Sequence, residues 1–583
     1  MASVDDIFKK PSYSSSSKRR IDPARDPTEI YKAAKLDATG DAKGSRSVTI
    51  EDVDDDEEAG PELPPDFEED IPDDEEGRFF GGGVSKDTSD ALKFVDQYEQ
   101  GEVAPQKLDI AWLRKTALNF EKRISKNAEL RVKFEGDPQK FVASEADLDV
   151  DIKSLSILSE HPELYEDFAA LGCVGSLVSL LTHENTDIAI DAIEILGELI
   201  DEDVEVEQKQ WDAVANAMLD SDIIELLAQN LSRLDENNEA DRAGVYHILS
   251  VLESLASQAS NAEKIGQDAN TIQWLQNRIS KKETRISQNK QYAAEILAIL
   301  LQASPKNRLR FIERDGTETL LQLLSIYRKF DPEKDSDEEE YFENLFDSLT
   351  CLVDEAEGKI KFVEAEGIEL ALIMLREGKL SKPRALRVLN HAIGGHEGVQ
   401  ACEHFVEAAG LRTIFGIFMK KQESAFMEHL LGIFASLLRL LPGESPARIR
   451  TLAKFVEKDY EKIERLVRLR RDYHSRVSAV DEKISQERKA LGTEDQAIME
   501  GEWLSQRLDA GLFSLQAIDI ILAWLVAEDD GAKSKIKSLL EDQDEGLGII
   551  RATLQDQLNG LDSTDDPDHQ NVKDMLETLI RFV

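Results

Sequence analysis

Phe311-Ile312-Glu313-Arg314-Asp315-Gly316 is the first full copy of a phrase that recurs as Phe362-Val363-Glu364-Ala365-Glu366-Gly367 and as Phe405-Val406-Glu407-Ala408-Ala409-Gly410. A shorter copy reads Phe168-Ala169-Ala170-Leu171-Gly172, and Phe455-Val456-Glu457-Lys458-Asp459 is a degenerate copy without the glycine. The last four copies begin 51, 43 and 50 residues apart. Repeats of about this length are typical of solenoid proteins, in which each unit buries its apolar face against its neighbours.

The phrase predicts a first helix that ends at the glycine, a tight turn and a second helix. We therefore expect Gly367 and Gly410 to have a positive φ. Short apolar stretches after the glycines predict the second helices, at 177–181, 320–324, 370–375 and 414–418. Longer apolar stretches predict a third helix in each unit, at 188–200, 345–353, 385–393 and 430–441.

Apolar residues at helical spacing recur from Leu108 to the C-terminus, and the alternation typical of strands is nearly absent. Residues 172–181, followed by Asn185-Thr186-Asp187-Ile188, resemble the armadillo consensus, and an acidic insert at 331–340 accounts for one long period. The sequence thus predicts an all-α fold. It is an armadillo/HEAT-type superhelical solenoid with helical N- and C-terminal caps and a disordered acidic N-terminal tail.

Composition divides the chain into four predicted regions. Residues 51–76 contain sixteen Asp or Glu and no Lys or Arg, which is too little apolar surface to offset the chain entropy lost on folding. The regions are a disordered tail at 1–88 (basic, then acidic), an N-terminal helical cap at 89–160, irregular armadillo/HEAT-type repeats at 161–450, and a C-terminal helical region at 451–583 that completes the array.

Two basic clusters in the tail resemble a nuclear import signal. They are Lys9-Lys10 and Lys18-Arg19-Arg20, and basic pairs of this kind fit an acidic receptor groove. A solvated run of charge is the alternative interpretation. The import interpretation predicts a nuclear location.

The formal charge of −47 limits the classes of partner. Residues 77–583 still carry −34, so the body of the chain is acidic as well as the tail. Such a surface repels phosphate backbones and anionic lipid and attracts basic partners. We therefore expect neither sequence-specific nucleic-acid binding nor membrane binding.

Carboxylates at helical spacing give candidate partner-binding residues. Asp187, Asp191, Glu194 and Glu198 fall on one helical face, and Glu343, Asp347 and Asp354 form a second stripe. In a solenoid the last helix of each unit faces the concave surface, where acidic side chains suit the Lys and Arg residues of an extended partner. A solvated outer face is the alternative for both stripes.

The sequence offers no catalytic constellation. It contains no Gly-rich phosphate loop, nucleophile elbow or paired-cysteine zinc spacing. Four possible metal ligands lie close in sequence, His391, His396, Cys402 and His404, but the spacing of Cys402 and His404 opposes joint ligation on a helix. We expect no enzyme activity, no metal and no cofactor.

Four arginines, Arg465, Arg468, Arg470 and Arg471, lie beside an apolar stripe in the stretch 450–490, which has the composition of one or two long helices. A solvated charged face is the favoured interpretation, and a nucleic-acid contact is the alternative.

Several sequence phrases resemble those of the beta-catenin-like protein 1 family. Members of that family are nuclear armadillo-repeat proteins associated with the spliceosome. The matching phrases occur in the family's order: Phe120-Glu121-Lys122-Arg123, Asn185-Thr186-Asp187, Leu231-Ser232-Arg233-Leu234-Asp235-Glu236, Glu295-Ile296-Leu297-Ala298-Ile299-Leu300-Leu301-Gln302, Asn344-Leu345-Phe346-Asp347-Ser348-Leu349, Leu411-Arg412-Thr413-Ile414-Phe415 and 507–513. The resemblance implies a non-enzymatic scaffold that binds basic, localisation-signal-like segments of splicing factors, including the Cdc5-like splicing factor of the nineteen complex. It leaves a homodimer open.

An importin-type nuclear transport adaptor is the alternative function. Armadillo import receptors place a Trp and an Asn four residues apart on the third helix. None of the five tryptophans has such an Asn after it: Trp112, Trp211, Trp274, Trp503 and Trp524.

Overall fold

This computed structural model describes residues 108–561 and 567–583, which all fall in one compact unit, Pro105–Val583. The predicted tail at 1–88 lies outside the described residues. So do the import-signal residues Lys9, Lys10, Lys18, Arg19 and Arg20.

The described residues form α-helices joined by short turns and a few 3₁₀ segments, and they include no β-strand. The helices before and within the first half of the array are α1 (Ile110–Lys133), α2 (Val142–Ser154), α3 (Tyr165–Ala170), α4 (Cys173–Ser179), α5 (Thr186–Leu199), α6 (Gln208–Asp220), α7 (Ile223–Arg233), α8 (Glu239–Ala256), α9 (Ala259–Gln267), α10 (Ala269–Ser280) and α11 (Gln288–Ala303). Those of the second half are α12 (Pro305–Glu313), α13 (Gly316–Leu324), α14 (Asp337–Leu352), α15 (Ala356–Glu364), α16 (Gly367–Glu377), α17 (Ser381–Ile393), α18 (Val399–Glu407), α19 (Gly410–Phe418) and α20 (Ser424–Leu440).

The remaining helices lie in the C-terminal part of the chain: α21 (Pro446–Ala490), α22 (Thr493–Asp509), α23 (Leu512–Glu528), α24 (Asp530–Glu541), α25 (Gly548–Asn559) and α26 (Pro567–Phe582). Element α21 is broken at Glu457, Lys458, Asp459 and Tyr460, whose backbone is not helical. The break coincides with the degenerate phrase that begins at Phe455. That copy therefore separates two helices as the full copies do.

Helices of the same rank in successive units pack on one another. The third helices form the longest series, in which α2, α5, α8, α11, α14, α17, α20 and α23 each contact the next. First helices form a second series and second helices a third, as in the contacts of α15 with α18 and of α16 with α19. One apolar core runs through all units from Leu113 to Leu579. This is the predicted all-α armadillo solenoid, and each predicted second and third helix overlaps an observed one.

The turn between first and second helices differs from the prediction. Gly172 does have a positive φ, of 79°, but in the full copies of the phrase the left-handed residue is the one before the glycine. These residues are Asp315, Glu366 and Ala409, with φ of 56°, 58° and 62°. The prediction that Gly367 and Gly410 have a positive φ is therefore wrong.

The glycines of the phrase are required by packing instead. Gly316, Gly367 and Gly410 are each the first residue of a second helix and lie against the phenylalanine five residues earlier. A β-carbon at Gly367 would overlap the ring of Phe362 and lie 2.8 Å from its carbonyl oxygen. The phenylalanine and the glycine of the phrase thus form one contact.

Replacing Ala409 by glycine should stabilise the protein by about 1 kcal/mol, because an L-residue is strained at positive φ and the exposed methyl group of Ala409 packs on little. Chemical denaturation measures the change. Ala425→Gly is the matched control, since Ala425 is also exposed but helical, and should destabilise instead. Equal effects of the two substitutions would contradict this account of the turn.

Within the described ranges, no single helix is long and apolar enough to cross a membrane. Two bent helix pairs have the length and composition of a membrane span, by those two criteria alone. They are Pro162–Ala170 with Cys173–Thr182 and Ile498–Asp509 with Leu512–Glu528.

Candidate partner-binding surface

Helix α5 carries the first predicted acidic stripe and lies between α2 and α8 in the series of third helices. It begins after Asn185, whose side-chain oxygen accepts a hydrogen bond from the backbone N–H of Asp187 at 3.1 Å. Ile188, Ile193 and Leu196 are buried in the core. The stripe therefore lies on the part of α5 that the core leaves uncovered.

Asp187 is exposed, and Asp191 lies deeper, at the contact with α2. The side chain of Asp191 is only 14% exposed. Lys153 of α2 places its Nζ 2.6 Å from Asp149 Oδ1 and 3.4 Å from Asp191 Oδ1. One lysine of the chain itself therefore bridges two carboxylates on neighbouring third helices.

The pKa values of the two carboxyl groups shift in opposite directions. Burial and the hydrogen bond with Asp149 raise the pKa of Asp191 to about 7, although Lys153 opposes the shift. The same hydrogen bond lowers the pKa of Asp149. Near neutral pH the site therefore holds one carboxylate, one partly protonated carboxyl group and the Lys153 ammonium.

The inner part of the stripe faces α8. Glu194 Oε1 lies 3.8 Å from Nε2 of His247, whose pKa is lowered by burial against the opposing influence of Glu194 and Glu198. Glu198 is partly buried, and its Oε2 has no hydrogen-bond partner among the described residues. Within the described residues, the ion pairs of the α5 carboxylates are with Lys153 and His247, and none is with an arginine.

Replacing Asp191 by asparagine should stabilise the protein at pH 8 and change little at pH 4. A carboxyl group with a raised pKa contributes stability below its unfolded pKa and loses that contribution as pH rises through the folded pKa. The wild-type chain therefore loses stability between about pH 4 and pH 7 here, by about 1 kcal/mol after solvent screening. Thermal melts across this range test it, with Asp187→Asn at the exposed end of the stripe as the control. Parallel profiles for the wild type and Asp191→Asn would contradict the raised pKa of Asp191.

The second acidic stripe is neutralised within the chain. Glu343 and Asp347 of α14 form ion pairs with Arg384 and Arg387 of α17. Asp354, just beyond the end of α14, lies 2.8 Å from Nδ1 of His391 on α17. All three predicted residues of this stripe thus face basic residues on α17, which is the third helix of the next unit. A partner's cations would have to compete with these basic residues for the carboxylates.

Sequence reasoning missed this basic stripe, although a signal was present. Arg384, Arg387 and His391 follow one another at spacings of three and four residues, which is the spacing that marked the acidic stripes. Which acidic stripe they face depends on the stacking of α14 on α17.

The four possible metal ligands are held apart by separate partners. Cys402 Sγ donates to the carbonyl oxygen of Ile393, His404 Nε2 lies 2.7 Å from Glu369, and His396 lies 3.0 Å from Glu397. In the described residues, no group of three or more His, Cys, Asp and Glu is arranged to hold a metal ion.

The four arginines in the middle of α21 have different environments. Arg470 is 1% exposed and pairs with the fully buried Asp519 of α23. Arg471 donates to the carbonyl oxygen of Leu539, and Arg465 donates to that of Lys420. Arg468 is exposed. The interpretation as one solvated face is therefore wrong for Arg470, which lies in the core.

A family model described as catenin-beta-like, Arm-motif containing nuclear matches residues 89–555. The chain belongs to this family. The catenin-beta-like family is described as nuclear and as built on the Arm motif, in agreement with the series of three-helix units. The resemblance stated from the sequence phrases is thereby confirmed.

Curated relatives extend the comparison over most of the chain. The beta-catenin-like protein 1 homolog of Schizosaccharomyces pombe is 40% identical over 471 residues, 81% of this chain and 82% of the relative. Beta-catenin-like protein 1 of Homo sapiens is 37% identical over 463 residues, 77% of this chain and 82% of the relative. A designed armadillo repeat protein of known structure is 14% identical with a TM-score of 0.34, over 45% of this chain and 99% of that chain. The catenin-beta-like assignment rests on the family model and these relatives, not on that distant likeness.

Proposed function

We propose that this chain is a non-enzymatic nuclear scaffold that holds Lys- and Arg-rich segments of pre-mRNA splicing factors on its third helices. The family's description as nuclear supports the location. By family resemblance the partners are the Cdc5-like splicing factor and other splicing factors of the nineteen complex.

Two carboxylates of the α5 stripe, Asp187 and Glu194, carry the proposal. Asp187 and Glu194 present carboxylates that no Lys or Arg neutralises within the described residues, whereas Glu343 and Asp347 are paired with arginines. A basic segment gains the most binding free energy from carboxylates that are not already paired with a cation of the chain. The α5 stripe is therefore the first site for the partner, and the α14 stripe is secondary.

The test is fluorescence-anisotropy titration of a labelled twelve-residue peptide rich in Lys and Arg. Asp187→Lys/Glu194→Lys should weaken binding at least tenfold. Glu313→Lys/Glu318→Lys is the matched control, because it changes the net charge equally at two exposed carboxylates on other helices. Equal losses in both double variants would show only general charge attraction and would contradict a site on α5.

Lys153 provides a gain-of-function variant. Its ammonium occupies the position that a partner's cation would take between Asp149 and Asp191. Lys153→Met should therefore strengthen binding of the same peptide. Affinity for the wild type should also fall between 50 and 500 mM salt, because screening weakens exposed ion pairs. An affinity independent of salt would remove the electrostatic basis of the proposal.

The importin-type adaptor remains the alternative function. Mass spectrometry of proteins co-purified from nuclear extract separates the two. Recovery of splicing factors would support the scaffold, and recovery of import receptors would support the adaptor. Recovery of neither class of protein would contradict both functions.

A further inference from the structure

A basic surface lies where α19 packs on α21, outside the series of third helices. We call it the basic patch, and its members are Arg412, Lys420, Lys421, Arg465 and Arg468. It stands out because the chain as a whole carries −47.

Arg465 is held in place at the centre of the patch. Its Nη2 donates to the carbonyl oxygen of Lys420 at 2.7 Å, and its guanidinium lies over the ring of Phe418, 5.4 Å from the centroid. Its Nε is buried and has no hydrogen-bond partner among the described residues. Burial and the neighbouring Arg468 lower the pKa of Arg465. This guanidinium is fixed in position and has no carboxylate partner in the part of the chain that the structure describes.

The other members of the patch are exposed cations. Arg412, Lys420, Lys421 and Arg468 form no ion pair within the described residues. The nearest carboxylates of α21 are already engaged: Glu461 pairs with Lys458 and Lys462, and Glu464 pairs with Lys535. Glu423 and Asp472 are exposed acids at the margins of the patch. The local charge is therefore positive.

The floor of the patch is open. Arg412 and Gly416 are exposed on α19 one helical turn apart, Lys420 follows two residues after the end of α19, and nothing lies within 4 Å of the position a β-carbon would take on Gly416. The exposed surface between the cations therefore leaves room for a bound segment.

We infer that the basic patch binds a short acidic peptide segment of a partner protein, through carboxylates or phosphoserine groups on that segment. A bound anion would pair with Arg465 and relieve its repulsion with Arg468. The screening length is about 8 Å at physiological salt, so the local cations decide the interaction and the distant acidic surface matters little. This surface is separate from the acidic stripe on α5 and does not depend on the proposed function.

Single-stranded RNA fits the patch less well. Binding of single strands relies on exposed aromatic rings on which bases stack. The ring that Arg465 covers, Phe418, is buried. A long polyanion would also meet the acidic remainder of the chain.

The experiment uses the full chain and two labelled decapeptides of alternating Glu and Ser, one with every serine phosphorylated and one unmodified. At 50 mM salt the wild type should bind at least one of them, and the pair shows whether phosphate or carboxylate is the preferred anion. Arg468→Glu/Lys421→Glu should weaken binding at least tenfold, and both residues are exposed, so the fold is retained. Circular dichroism checks that retention.

Lys264→Glu/Arg376→Glu is the matched control, because it makes the same change in charge at two exposed residues elsewhere. It should alter the affinity less than twofold. The inference fails if the wild type binds neither peptide, if the control loses as much as the patch variant, or if a twelve-nucleotide single-stranded RNA binds the patch more tightly than both peptides.

Discussion

Replacing Asp519 by alanine should lower the free energy of unfolding of the C-terminal units by about 3–5 kcal/mol, the range for an ion pair that loses one partner inside a protein. Asp519 is 0% exposed and accepts from Nε of Arg470 at 2.7 Å across the contact of α21 with α23. The substitution leaves the Arg470 guanidinium, which is 1% exposed, without a counter-ion. Urea denaturation followed by circular dichroism measures the loss.

Two further variants separate charge from packing. Arg470→Met/Asp519→Leu should recover most of the stability, since a buried ion pair can be replaced by apolar side chains of similar volume at little cost. Glu464→Ala breaks the partly exposed pair with Lys535 between α21 and α24 and should change stability far less. If the double variant were as unstable as Asp519→Ala, lost packing rather than an uncompensated charge would be the cause.

Replacing Gly358 by alanine should destabilise the protein by about 3 kcal/mol, the upper end of the usual cost of overpacking. A β-carbon there would overlap the carbonyl oxygen of Leu352 at the end of α14 and lie 2.6 Å from its carbonyl carbon. Backbone atoms cannot rotate away as a side chain can, so the turn between a third helix and the next first helix must open. Thermal and urea denaturation measure the effect.

The next unit repeats this geometry and gives an internal check. Gly398 lies against the carbonyl group of Ile393 as Gly358 lies against that of Leu352, so Gly398→Ala should be costly as well. Gly416→Ala is the control, because its added methyl group meets nothing within 4 Å and alanine favours the helix by about 0.5–1 kcal/mol. A destabilising Gly416→Ala would show that alanine itself, rather than the contact, is responsible.

The sequence predicted the positions of the helices better than the contacts that fix the turns between them. Apolar spacing located the third helices, because burial against neighbouring units requires that spacing. It did not explain Gly367, whose contact with Phe362 exists only once the two helices fold back on each other. The left-handed residue before it, Glu366, carries no signal in its side chain. Two units, α6–α8 and α9–α11, lack the phrase entirely.

Pairing between units explains the remaining differences. Arg470 continues the apolar stripe of Ile463, Leu466 and Val467, and Asp519 interrupts an apolar run, so two single charges within apolar faces were visible in the sequence. That they meet depends on α21 packing on α23. The ion pairs of α14 with α17 likewise depend on stacking order, which spacing within one helix does not reveal.

The series of third helices makes the protein nearly one-dimensional, because each member packs mainly on the member before it and the member after it. Stability in such an array is a sum of contributions from each unit and each contact between units. Unfolding should therefore start at the ends or at a weakened junction and proceed unit by unit. A ligand on α5 would slow amide hydrogen exchange most in α2, α5 and α8, with protection fading along the series. Amide hydrogen exchange at the α19–α21 junction would not change. The acidic stripe on α5 and the basic patch would therefore respond to their ligands independently.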